Sequence, residues 1–291
     1  MPKLDAIILQ LEKIRKGIAN IFTASIVILV IGVLFLFAAV FFLGILLLII
    51  GVVVLIFGAV QNEKYKKSVK EDLAKGILQE HYDNVTLDAK NGMSQEYIRS
   101  TEMIGLGNIY ASNDLFTGEY KGVEFEQADV LVQQRTSTGK STVTVTLFKG
   151  QYRIFEFNKN FTSYLQIRDK EGVLFGKNAK PYQYFTQREK TEHLKLENKE
   201  FNDIFDVYAS DAHEAFYILT PHFMEKIMEL NIVMECMIVI GFIDNKMHLA
   251  SYTNKDLFEP SVWNPINEEY LKKVEREAEI IKQIIDILNL E

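Results

Sequence analysis

The 291-residue chain has one cysteine, five prolines and one tryptophan. A lone Cys236 excludes any intrachain disulfide and suits a reducing compartment. Its setting in "IVMECMIVIGF" is that of a small core hydrophobe. So little proline excludes a collagen-like or proline-rich extended chain. Positive charge is also short: the formal net charge is −7. Residues 1–60 hold Lys3, Lys13, Arg15 and Lys16 against Asp5 and Glu12, a surplus of two, so the remainder carries −9. An acidic domain repels phosphate backbones, which excludes nucleic acid as a partner.

The largest absence is of charge itself, from Ile21 to Val60. The run is far too long for the roughly 7–15 apolar residues of a signal peptide. About 20 helical residues span the roughly 30 Å hydrocarbon layer, so forty predict two crossings, over 22–40 and 43–60. The turn is expected near Val40–Gly44, with glycine supplying it. Ser25, Gly32 and Ala39 recur every seven residues, as do Gly44, Gly51 and Gly58. A seven-residue repeat keeps one stripe toward a partner helix, and small side chains let the backbones approach. Lys13, Arg15 and Lys16 precede the run, and Lys64, Lys66, Lys67 and Lys70 follow it. Basic flanks at both ends predict both termini in the cytoplasm and an inner-membrane, multi-pass hairpin in the lipid bilayer.

Beyond the membrane, Tyr65, Val69, Leu73 and Ile77 predict a juxtamembrane helix over 61–82. Its lysines Lys64–Lys70 are candidates for contact with anionic headgroups or, equally, for a solvated juxtamembrane face. From about Leu115 the period becomes two, and "YKGVEFEQADVLVQ" and "STVTVTLFKGQYRIFEF" read as strands. "TSYLQIRDKEGVLF" and "HLKLENKEFNDIFDVYAS" read as further strand pieces. Asp211–Leu230 reads as one helix capped by Asp211 or, as the alternative, as two pieces broken at Pro221. "ECMIVIGFIDNKMHLASYT" reads as a hairpin turning at Asp244–Lys246. The expected class is α+β with a mainly antiparallel sheet over 83–265. In the last segment, 266–291, Leu271, Val274, Ala278, Ile281, Ile285 and Leu288 form one helical stripe; Ile7, Leu11, Ile14 and Ile18 form another within 1–20. Packing within the chain is favoured over a self-associating coiled coil, which leaves a homo-oligomer as the alternative.

Few motifs carry chemistry. "STGKST" (Ser137–Thr142) has the GKS of a P-loop, but Gln134 stands where the first glycine belongs and strand follows where helix is needed. "GLGNIY" at Gly105 lacks the third glycine of a dinucleotide fingerprint. Asp211, His213 and Glu214 are the candidate catalytic residues, with His222 nearby. Nine residues on an unbroken helix would point His213 and His222 oppositely, so a metal site there needs a break at Pro221. Capping and surface charge are the simpler reading, and neither metal nor cofactor is expected.

"DLFTGEYKGVEFEQADV", "LFKGQYRIFEFNKNF", "FNDIFDVYASDAHEAFYILTPHFMEKI" and "LFEPSVW" resemble, in that order, a bacterial membrane-anchored family, the domain of unknown function numbered 3137. The resemblance covers roughly residues 100 to 262. It implies a prokaryotic membrane protein with a close pair of transmembrane helices before a globular domain, and it implies no activity or catalytic residue. The functional expectation is a membrane-anchored cytoplasmic binding or scaffold module recruiting a protein or lipid-linked partner. The alternative is a membrane-tethered metal-dependent hydrolase using Asp211, His213 and Glu214.

Overall fold

The structure, a computed structural model, describes residues 2–139, 141–157, 159, 161–170 and 185–291. The chain divides into two compact units, Met1–Ile77 with Phe258–Glu275, and Leu78–Leu257 with Arg276–Glu291.

The first unit is built on two long antiparallel helices, α1 (Pro2–Phe37) and α2 (Phe41–Ser68). Both are long and apolar enough to cross a membrane. They pack through a seven-residue register. Gly44 lies against Leu36, Gly51 against Leu29, and Gly58 against Ile21 and Phe22, while Gly32 on α1 receives Leu48. Each step of seven up one helix thus meets a step of seven down the other, the spacing that supercoils left-handed pairs. A Cβ on Gly44 would sit 2.6 Å from Leu36 Cδ2, and one on Gly51 2.7 Å from Leu29 Cδ2. The buried stripe continues beyond the apolar run, to Leu11 and Ile18 before Ser25 and to Tyr65 after Gly58. Ser25 donates its hydroxyl to the Phe22 carbonyl at 2.8 Å and so stays satisfied inside the pair. Ile14, expected on the stripe, is instead exposed.

The turn corrects the expectation that glycine makes it. Ala38–Val40 connect the helices, and Ala39 takes the left-handed conformation at φ 58°. Ala39 is therefore an exposed turn residue outside both helices. Gly44 is in α2, where close contact with Leu36 requires it. Backbone amides of the turn close back on Leu34, Leu36 and Phe35 carbonyls at 3.0–3.1 Å. Such internal closure is what a turn in or near lipid demands. After Ser68 the helix passes through a π-helical stretch, Val69–Ala74, into α3 (Lys75–Leu78). Tyr65, Val69, Leu73 and Ile77 are all buried.

The second unit is a nine-stranded, wholly antiparallel sheet in the order β1-β2-β3-β4-β9-β8-β5-β7-β6. The strands are β1 (Asp83–Asp88), β2 (Ile109–Tyr120), β3 (Val123–Ser137), β4 (Thr142–Glu156), β5 (Leu165–Asp169), β6 (Glu192–Leu194), β7 (Phe205–Ala209), β8 (Met237–Ile243) and β9 (Lys246–Tyr252). Two-residue turns join β2 to β3 at Lys121–Gly122 and β8 to β9 at Asp244–Asn245. All four residues have positive φ, as tight hairpins of this twist require. The "STGKST" segment is a hairpin turn closed by the Thr138 amide on the Ser141 carbonyl at 3.0 Å; its Lys140 lies outside the described residues.

Helix α4 (Gln95–Thr101) covers one sheet face, where Ile98 joins Met103, Val130, Val132, Phe148 and Tyr152 in the core. On the other face Tyr82 stacks edge-on to Phe116 and Phe125, at 5.7 and 5.0 Å, and its hydroxyl donates to the Ala278 carbonyl. Ala278 belongs to α8 (Glu268–Leu288), whose Ile281, Ile285 and Leu288 are also buried. A helix expected as strand is α5 (Lys199–Ile204), which the Asn198 side chain caps by accepting from the Phe201 amide at 3.0 Å. β1 and α4 carry no periodicity that marks them in the sequence, and Glu171–Phe175, expected as the end of a strand, lie outside the described residues. Asp211–Leu230 is not one helix but takes the alternative, broken into α6 (Ala212–Ile218) and α7 (Pro221–Met234). Pro221 fills the first position of α7 and Thr220 caps it, accepting from the Phe223 amide at 3.3 Å.

Gly51→Leu is expected to destabilise the helix pair by about 1–3 kcal/mol, the usual cost of overpacking. Val53→Leu, on the exposed outer face, is expected to leave it unchanged. The midpoint of unfolding of the full chain in a detergent titration separates the two.

Candidate functional site

The Asp211–Glu214 segment follows β7 directly. Asp211 caps α6, its Oδ1 accepting from the amides of His213 at 2.7 Å and Glu214 at 3.1 Å. Glu214 turns back on the loop between β4 and β5. Its carboxylate accepts from the Thr162 amide at 3.0 Å, the Thr162 hydroxyl at 3.0 Å and the Ser163 amide at 2.8 Å. Interaction with the Ser163 side chain, then with the Ser163 and Thr162 amides, lowers its carboxyl to about 2. His213 and His222 are exposed, on separate helices. Asp211 and Glu214 thus ligate backbone, and among the described residues no group of three or more His, Cys, Asp or Glu could hold a metal ion. Cys236 is half-buried, and burial pushes its thiol up to about 12, far from a nucleophilic thiolate.

A buried polar layer, not anticipated from the sequence, crosses the middle of the sheet. Gln127 and Asp129 on β3, Gln151 and Arg153 on β4 and Ser251 on β9 are all at most 3% exposed. Arg153 donates from Nε to Gln127 Oε1 at 2.5 Å and from Nη1 to Ser251 Oγ at 2.7 Å. Burial depresses the guanidinium, and the charge of Glu277 on α8 most strongly supports it. Gln151 Nε2 donates to Asp129 Oδ1 at 3.1 Å and to the Lys255 carbonyl at 2.9 Å. The Leu257 amide donates to Asp129 Oδ2 at 2.6 Å, and Thr253 Oγ1 donates to Gln151 Oε1 at 2.9 Å. The layer clamps the segment after β9 to the sheet. A signal for it stands in "EFEQADV", where Gln127 and Asp129 share the phase of the inward Phe125.

At the far end of the same strands lies an open groove of about 310 Å³. Glu119, Glu124, Glu126 and Glu156 line it with Asn84 and Lys246. Four carboxylates against one ammonium make it an acidic surface, suited to a cationic ligand.

In the first unit the segment Phe258–Asn267 is pinned to both long helices. Arg15 pairs with Glu12 at 2.8 and 3.0 Å and donates to the Val262 carbonyl at 2.7 Å. The Ile266 amide donates to Glu12 Oε1 at 2.6 Å. Glu259 pairs with Lys66 at 2.5 Å and with Lys70 at 2.9 Å. Those two lysines, expected among the headgroup contacts, are thus engaged within the protein.

Residues 146–290 match the family described as protein of unknown function, DUF3137, so the chain carries a DUF3137 family domain. The matched region starts later than the sequence resemblance suggested and takes in α8. No curated protein matches the chain. The crystal structure of the mycobacterial trehalose monomycolate transport factor A, TtfA, is similar to it at 10% sequence identity. The likeness covers 74% of this chain and 96% of that one at a TM-score of 0.38, a level that does not define a shared fold.

Asp129 supplies a pH test. Burial is the first cause that raises its carboxyl, to about 7 from an ordinary 3.8, against the lowering bonds from Gln151 and Leu257. Between those values the folded chain holds a proton that the unfolded chain has lost, so stability falls as pH rises from about 4 to 7. The full effect is on the order of 4 kcal/mol. Asp129→Asn is expected to flatten that slope, measured by urea unfolding of the full chain in nanodiscs followed by the circular dichroism of the sheet.

Proposed function

We propose that this chain, as the carrier of a DUF3137 family domain, is a membrane-anchored binding or scaffold module. It brings a protein or lipid-linked partner to the inner membrane, with both termini in the cytoplasm. The observation that carries this reading is the helix pair. Its inner stripe is closed by glycine–leucine contacts, and its outer faces are apolar and open, Phe37 and Phe42 being 86% and 84% exposed. A water-soluble helix pair would not bare such residues; a bilayer covers them. The basic residues on both flanks support the cytoplasmic orientation. The domain boundaries of this reading are 1–20, 21–60, 61–82, 83–265 and 266–291.

Support for binding over hydrolysis comes from the state of the acidic residues. Asp211 and Glu214 spend their oxygens on amides and a hydroxyl, which suits capping and loop-holding and leaves a general base poorly served. The acidic groove is the surface best placed to take a partner, and its charge favours a basic or amine-bearing one. The test is a pull-down with the tagged full chain from solubilised membranes. A partner recovered with the native chain and lost with the Glu126→Lys, Glu156→Lys double variant, at unchanged melting temperature, is the expected result. Recovery of the bait alone, or equal recovery by the double variant, overturns the reading.

A further inference from the structure

The strap Phe258–Asn267 has an uneven distribution of exposure. Phe258, Val262 and Ile266 are buried to 6% or less, and between them Trp263 is 60% exposed. A tryptophan so bare on a pinned segment calls for a covering phase. Its position names that phase. The Trp263 ring lies 6.1 Å from the ring of Phe22, the second residue of the uncharged run. Phe22 in turn lies against Gly58, near the end of that run on the other helix.

Height along the helices can be read from the rise of about 1.5 Å per residue. Lys16 lies six residues before Phe22, and Lys64 six residues after Gly58, so each stands about 9 Å toward the charged end. Both lysines are exposed, as is Lys13. The strap is locked at that level. Arg15 holds Val262 and Glu12 holds Ile266 on α1, while Lys66 and Lys70 hold Glu259 on α2. The protein therefore fixes an amphipathic ring where its apolar surface ends, below a belt of cations. Indole rings prefer that depth in a bilayer, with the ring in apolar surroundings and the N–H toward the headgroups.

We propose that Phe258–Asn267 is a third membrane contact of this chain, which inserts Trp263 beside Phe22 at the boundary between headgroups and hydrocarbon. The strap begins at Phe258, 190 residues after the helix pair ends at Ser68, so it ties a late segment of the chain to the lipid surface. The inference rests on the reading of α1 and α2 as membrane-spanning.

Trp263 is the one tryptophan in the sequence, so emission excited at the red edge, where the 13 tyrosines do not absorb, reports on it alone. The full chain is reconstituted into vesicles of phosphatidylcholine and phosphatidylglycerol. Part of the phosphatidylcholine carries bromine on its acyl chains, either near the headgroup or near the chain end. The expected result is blue-shifted emission, quenched more by shallow bromine than by deep bromine. Arg15→Gln, which frees the Val262 carbonyl, is expected to reduce the shallow quenching and shift emission to the red. Emission quenched by aqueous iodide and by neither bromolipid, in a chain that still floats with vesicles after an alkaline wash, overturns this inference alone. Undiminished quenching in Arg15→Gln overturns the role given to the Arg15 pin. A native chain that leaves the vesicles in the wash overturns the spanning reading, and this inference with it.

Discussion

Close approach of two backbones is the constraint on which the helix pair depends. Lipid tails are as apolar as leucine, so burial of hydrocarbon does not drive helices together within a bilayer. What remains is contact, and contact needs small residues opposite large ones in register. Gly44, Gly51 and Gly58 on α2 meet Leu36, Leu29 and Phe22 on α1, and Gly32 returns the arrangement to Leu48. The same register fixes the turn. Gly44 is taken up by its contact with Leu36, and the left-handed residue of the turn is Ala39.

The sheet depends on a different economy of polar groups. Its central strands carry a buried arginine, a buried aspartate and two glutamines, and nearly every bond they make crosses between strands or reaches the segment Thr253–Leu257. Buried polar groups of this kind are tolerated when satisfied and costly when not. They fix where the chain goes after β9. In the first unit the strap is held by its own charged set, Glu12, Arg15, Glu259, Lys66 and Lys70.

What could be read from the sequence was local. The seven-residue series of small residues, the two-residue alternation of β3 and β4, the Asp244–Asn245 turn and the Asp211 cap each depend on neighbours within a few positions. The helix break at Pro221 was legible, as an alternative to one helix, for the same reason. Glu214 was not, because its partners Thr162 and Ser163 lie about fifty residues earlier. The burial of Asp129 is not legible locally because its Leu257 partner lies 128 residues on, and Gln127 depends on Arg153, 26 residues away on the next strand. Lys199–Ile204 is helix where the surrounding alternation suggests strand, because the Asn198 cap outweighs that alternation. The strap was invisible: Glu12 and Ile266 are 254 positions apart.

The central claim is that α1 and α2 form a membrane hairpin leaving both ends of the chain on one side. In a Cys236→Ser background, single cysteines at Lys3, Ala39 and Glu291 can be probed in intact cells with a membrane-impermeant maleimide. The account predicts labelling of Ala39→Cys from outside, and of Lys3→Cys and Glu291→Cys only after the membrane is permeabilised. Labelling of Glu291→Cys in intact cells would contradict it.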